Sequence, residues 1–215
     1  MTKDFREILN LIANVTSERR GIRPRYTSYH VVKALNTLIF HQPIGRIKLS
    51  EEIGLGEASI RTMIRRFREM NIIEVDPVAG ITLTDKGVKL WSTWINNVIV
   101  CKISIDYIIG NVPHACIIVK NGENIARKLG IIKIRDMIVR RGAEGALIIL
   151  VDDKGAYIPS PTGEKHYDHK LTEDIRKCLC KYGDLILISW SISKRNAEKA
   201  LIEALIDILR EYFQC

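Results

Sequence analysis

An α/β (α+β) chain in two domains is the fold class that the sequence predicts, and three observations predict it. Residues 50–84 run through a short helix, a Gly54-Leu55-Gly56 turn, an Arg-rich helix and two short strands. That order is the pattern of a winged helix-turn-helix. Beyond residue 98, short apolar runs alternate with helical stretches, as in a mixed-sheet α/β domain. The net charge of +8 is also unevenly shared: residues 1–95 carry 15 Lys and Arg against 10 Asp and Glu, residues 96–215 carry 18 against 15. The expected domains are residues 1–97, a winged helix-turn-helix with an N-terminal helix and a basic arm, and residues 98–215, an α/β domain.

Composition narrows the class. An apolar fraction of 47% is ample for packed cores. No apolar run approaches the roughly 20 residues of a membrane helix. The start, Met1-Thr-Lys-Asp-Phe-Arg-Glu, carries charge where a secretory signal needs an apolar stretch. A cytoplasmic protein with no membrane partner is the expectation. The five cysteines, at 101, 116, 178, 180 and 215, lack the spacing of a secreted disulfide framework. Gln occurs only at 42 and 214, a bias that resembles thermophile usage, and in hyperthermophiles an intracellular disulfide is tolerated.

The elements follow in order. Phe5, Ile8, Leu9 and Ile12 share one face of an opening helix over 4–14. Residues 17–28 lack periodicity and hold Arg19, Arg20, Arg23 and Arg25, so they read as a basic arm or connector. Ser28 caps a second helix with an apolar stripe of Val31, Val32, Leu35, Leu38 and Ile39, which Pro43 and Gly45 end. Ser50 reads as the N-cap of a short helix, with Glu51 and Glu52 in its first turn. The next helix, over 57–70, turns Ile60, Met63, Ile64, Phe67 and Met70 inward and Ala58, Arg61, Thr62, Arg65 and Glu69 outward. A hairpin joins 72–75 to 80–84, and Asp85 opens a helix with Trp91 and Trp94 on its packing face.

In the second half, residues 99–107 alternate as a strand with one buried face. Further strands are expected at 115–119, 146–151 and 185–188. Helices are expected at 132–141, 171–182 and 194–213.

The chemistry of the first domain points to a polyanion. Arg61, Thr62 and Arg65 lie on the outward face of the helix that would enter a major groove, where an Arg reaches guanine O6 and N7 with two hydrogen bonds. Ser59, Arg46, Lys48 and Arg66 are placed for phosphates. The hairpin tip, Asp76-Pro77-Val78-Ala79, has an acid and no base, so the basic arm is the better candidate for a minor-groove contact. Double-stranded DNA is the expected partner, bound by a homodimer, because one short helix buries too little surface for operator-level affinity.

Several motifs carry a resemblance. Gly21-Ile-Arg-Pro-Arg-Tyr-Thr-Ser-Tyr-His-Val-Val-Lys-Ala-Leu, Ile44-Gly-Arg, Leu55-Gly-Glu-Ala-Ser-Ile-Arg-Thr and Leu83-Thr-Asp-Lys-Gly resemble archaeal winged-helix transcriptional regulators. In that group a C-terminal domain of uncharacterised function follows. Ile134-Arg-Asp, Arg141-Gly-Ala-Glu-Gly-Ala and Tyr157-Ile-Pro are similar too, so the likeness spans most of the chain. It implies a regulator and no reaction.

For the second domain, Arg135 and Asp136 are polar within an apolar helix. They are candidates for binding a small-molecule effector or for pairing with charges across the domain. Ser189 and Ser191 follow a strand and precede the last helix, where anions tend to bind; Ser191 or Ser193 equally serves as that helix's cap. His166, His169, Cys178 and Cys180 are metal-capable, but a Cys pair two apart on a helix points about 200° apart, so no metal is assigned. Phosphate loop, nucleophile elbow and dinucleotide fingerprint are all absent from the sequence, so no cofactor and no enzyme activity are expected. The rival readings are a metabolic enzyme fused to a winged helix and a winged-helix scaffold that binds protein.

Overall fold

The computed structural model describes residues 2–19, 21–103, 105–160, 162–178 and 180–214, without the side chains of Thr2 and Lys3. The chain divides into two compact units, Met1–Ile95 and Asn96–Gln214. The division falls two residues before the boundary read from the sequence. A helix runs through the division and ends at Asn97, and within the second unit the Asn97 carbonyl accepts from Lys120 N–H at 2.8 Å.

The first unit opens with α1 (Thr2–Thr16) and α2 (Ser28–His41), followed by α3 (Arg46–Ile53) and α4 (Glu57–Glu69). Then come β1 (Ile73–Asp76), β2 (Gly80–Leu83) and α5 (Asp85–Asn97). The expected apolar stripes are buried: Phe5, Ile8, Leu9 and Ile12 on α1, Val31, Val32, Leu35 and Leu38 on α2, Ile60, Met63, Ile64 and Phe67 on α4. Trp91 and Trp94 of α5 stack at 5.4 Å between ring centres, and Phe5 lies 6.3 Å from Trp94. Beside the β1–β2 hairpin, Ile44 and Ile81 exchange backbone hydrogen bonds at 3.1 and 2.9 Å, which adds a third short extended segment.

Two caps differ from expectation. Thr27, not Ser28, caps α2, with its backbone N–H donating to His30 Nδ1 at 3.1 Å. Helix α3 starts at Arg46, four residues before Ser50, because extended Ile44 leads straight into Gly45 as the N-cap. Ser50 therefore lies in the last turn, where its hydroxyl donates to the Leu55 carbonyl across the glycine turn. Gly54 ends α3 in the left-handed region at φ 72°.

The second unit contains β3 (Val98–Cys101), α6 (Asp106–Ile109), β4 (His114–Val119), α7 (Glu123–Leu129) and α8 (Ile131–Arg140). After these come β5 (Gly145–Asp152), β6 (Gly155–Pro159), β7 (Lys165–Tyr167), α9 (His169–Lys177), β8 (Leu185–Trp190) and α10 (Lys194–Phe213). The six strands form one sheet in the order β3-β4-β8-β5-β6-β7. Every pairing is antiparallel, so the fold takes the α+β form rather than a mixed sheet. Helix α10 packs on β4 and β8, and α8 on β5. The opposite face buries Cys116, Ile118, Ile149, Ile186 and Ile188 against Leu171 and Ile175 of α9.

The strand expected over 99–107 stops at Cys101. Ile103 and Ile105 are buried as the alternation required, but the backbone leaves the ladder: the Ile103 carbonyl lies 2.9 Å from His114 Nε2 instead of a strand neighbour. The helix expected over 171–182 ends at Lys177. No described helix is long and apolar enough to cross a membrane.

Candidate nucleic-acid interface

The Gly54–Gly56 turn sets α4 against the core through Ile60, Met63, Ile64 and Phe67, and this fixes which residues face out. Arg61 and Arg65 are exposed, and Thr62 and Ser59 are half-buried beside them. The Thr62 hydroxyl donates back to the Ala58 carbonyl at 3.0 Å. Arg46 and Lys48 are exposed at the start of α3.

Each of these cations is held by a carboxylate. Glu57, in the first turn of α4, accepts from Arg61 at 2.6 Å and stands 3.3 Å from Arg46. Lys48 pairs with Glu52 at 3.1 Å, and Arg65 with Glu69 at 3.8 Å. The Arg61 hydrogen bond holds the Glu57 carboxyl below its ordinary range, aided by the charges of Arg61 and Arg46. Glu69 is lowered likewise, chiefly by its hydrogen bond from Arg19. The i,i+4 spacing of Glu57 to Arg61 and of Arg65 to Glu69 is the sequence signal of these counter-charges.

Arg66 is a correction. It is 3% exposed and donates to the Val15 carbonyl at 2.6 Å and the Ser17 carbonyl at 2.7 Å. The last carbonyls of a helix lack intrahelical donors, so this guanidinium caps the end of α1 and is withdrawn from any phosphate role. Tyr26 joins it, its hydroxyl donating to Val15 O at 3.1 Å. Burial raises the Tyr26 phenol, partly offset by Arg66, Arg19 and Arg65.

The basic arm is folded rather than extended. Arg19 and Ile22 exchange backbone hydrogen bonds at 3.2 and 3.0 Å around Gly21, whose φ of +74° suits a residue without a side chain. Arg19 is hydrogen-bonded to Glu69 of α4. A groove of about 610 Å³ results, walled by Arg19, Arg23 and Arg25 on one side and Ser59, Thr62 and Arg65 on the other. Arg20 lies outside the described residues. The hairpin tip carries no cation: Asp76 Oδ1 accepts from Ala79 N at 2.7 Å and Val78 N at 2.8 Å, and these two bonds lower its carboxyl. Val78 is 96% exposed.

The effector residues expected in the second unit do not form one site. Arg135 and Asp136 are exposed on α8; Asp136 borders a shallow cavity with Lys133, Arg140 and Ser160, which Arg135 does not line. Ser189 is fully buried with its hydroxyl donating to the Ala197 carbonyl at 2.8 Å, and Ser191 is buried near the Gly142 carbonyl. Both serines are thereby removed from ligand contact, and Ser193 is the cap of α10, accepting from Asn196 N at 3.2 Å. Among the described residues no three of His, Cys, Asp and Glu are placed to hold a metal ion.

Comparison with known proteins ties these features to families without an assigned activity. Residues 32–89 match a family model described as the PH0730-like, N-terminal domain, and residues 109–208 match one described as a domain of unknown function (DUF4443). No curated protein matches the chain. A solved structure, the hypothetical protein PH0730 from Pyrococcus horikoshii OT3, is similar at a TM-score of 0.61 and 27% sequence identity, over 87% of this chain and 95% of that one.

Proposed function

We propose that the first unit binds double-stranded DNA through α4 and the folded basic segment before α2, and that the chain acts as a transcriptional regulator. The observation that carries this reading is the groove in which Arg19, Arg23 and Arg25 face Ser59, Thr62 and Arg65 of α4. Arg61 and Arg65 on the exposed face are the base-reading candidates, while Arg46, Lys48 and the arm arginines take phosphates. The acidic, base-free hairpin tip has no part in it. Two copies bind together, because one helix of 13 residues buries too little DNA surface for a specific site. The second unit senses a small molecule or assembles the copies, and the proposal assigns it no reaction. The cytoplasm is the location this reading requires.

The test is selection of bound fragments from genomic DNA, followed by titration at several salt concentrations. With about five phosphate contacts from each of two copies, the logarithm of the association constant falls with the logarithm of salt at a slope of about −9. Arg61→Ala and Arg65→Ala relax sequence preference, whereas Arg23→Ala and Arg25→Ala weaken binding uniformly and, removing one contact from each copy, flatten the slope by about two units each. Binding that ignores salt sinks the reading.

A further inference from the structure

Four cysteines from three parts of the sequence converge on one face of the C-terminal sheet. Cys101 and Cys116 are direct partners across the β3–β4 ladder, so their side chains leave the sheet on the same side with Cβ atoms about 4.5–5.5 Å apart. Cys101 is disulfide-bonded to Cys178, the C-cap residue of α9, across a sequence separation of 77. Cys116 and Cys180 remain thiols, and Cys180 is near enough for its charge to act on Cys116. Cys116 is buried, whereas Cys178 and Cys180 are only half-buried. Cys101 and Cys116 also border a cavity of about 650 Å³.

We propose that Cys101, Cys116 and Cys178 form a thiol–disulfide exchange centre, in which Cys101–Cys178 is reversibly reduced by an external dithiol and Cys116 competes with Cys178 for Cys101. Cys178 is the more open sulfur of the bond, so the dithiol's thiolate attacks there. The S–S bond breaks, its electron pair goes to Cys101 Sγ, and that sulfur takes a proton. The dithiol's second thiolate then displaces Cys178, which takes the second proton. Two electrons have passed to the protein, and the reductant leaves as its own cyclic disulfide. In the internal step Cys116 loses its proton as its sulfur bonds to Cys101, and Cys178 departs and is protonated, with the number of disulfides unchanged. Burial raises the Cys116 thiol, so little thiolate exists at neutral pH and this step accelerates as pH rises. The centre is independent of the DNA-binding reading.

The test uses the full chain with Cys215→Ser, equilibrated in graded dithiothreitol buffers, trapped by alkylation and mapped by peptide mass. Titratable thiols are expected to rise from two to four while the protein stays folded by circular dichroism. A Cys101–Cys116 peptide should accompany the Cys101–Cys178 peptide at intermediate poise, forming faster at pH 9 than at pH 7. Cys116→Ala should abolish the first peptide and leave the second; mapping the parent needs no core substitution. A Cys101–Cys178 bond that persists in the folded protein at every poise overturns the proposal, as does its being the only linkage ever found. Uptake of one zinc ion by the reduced protein, with all four thiols protected from alkylation, overturns it in favour of a metal centre.

Discussion

Arg66 Nη1 donates to the Val15 carbonyl at 2.6 Å, joining the inner edge of α4 to the last turn of α1. One side chain thus closes a helix end and forms the floor of the groove between arm and helix. A hydrogen bond from a charged donor contributes about 1.5–3 kcal/mol. Arg66→Met should therefore lower stability by about that amount in urea unfolding, while the folded variant keeps the parent's salt slope on DNA. A reduced slope would return Arg66 to the phosphate contacts.

Glu57 stands between Arg46 and Arg61, and its carboxylate faces the surface proposed to meet DNA. Its lowered pKa keeps it ionised at neutral pH. Glu57→Gln should remove a repulsive charge and free Arg61, so that association with DNA tightens severalfold at low salt. The gain should shrink as salt rises, because exposed charges are screened. Filter-binding titrations across salt provide the measurement, and weaker binding by the variant contradicts the proposed face.

Asp152 anchors the far edge of the sheet. Its carboxylate accepts from Lys165 at 2.7 Å, from the Tyr167 hydroxyl at 2.6 Å and from Lys154 N–H at 2.9 Å. Burial alone would raise this carboxyl, but the three hydrogen bonds and the Lys165 charge outweigh it and hold it at about 2. The folded value is below the unfolded value of about 3.9, so the contribution to stability is complete above about pH 4 and is lost as pH falls towards 2. Acid unfolding of Asp152→Asn should show a flatter dependence over that window.

Gly87, in the first turns of α5, lies against the hairpin's approach: a Cβ placed there would stand 2.2 Å from the Ile72 carbonyl oxygen. Backbone cannot swing aside as a side chain can. Gly87→Ala should cost about 1–3 kcal/mol, a fall in Tm of several degrees by calorimetry, despite the better helix propensity of Ala.

Much of this was legible from residue order. The run from Lys194 to Phe213 repeats apolar residues at helical spacing, and α10 has those limits. Gly54 announced the turn before α4. Alternation over 99–107 failed differently: it reports which side chains are buried, and Ile103 and Ile105 are. It is silent on whether a backbone partner exists. His114 supplies that partner with its ring at Ile103, so the ladder stops.

The sequence alone determined the two-domain α+β class, the apolar face of α4 and the exposure of Arg61 and Arg65, because periodicity along one element decides which of its faces is buried. Only the tertiary structure decided that Arg66 serves α1, that Ser189 lies beneath α10, that the arm folds into a groove wall and that Cys101 meets Cys116 and Cys178. Each of those depends on which backbone carbonyl or side chain arrives from a distant part of the chain. Local spacing carries no record of it.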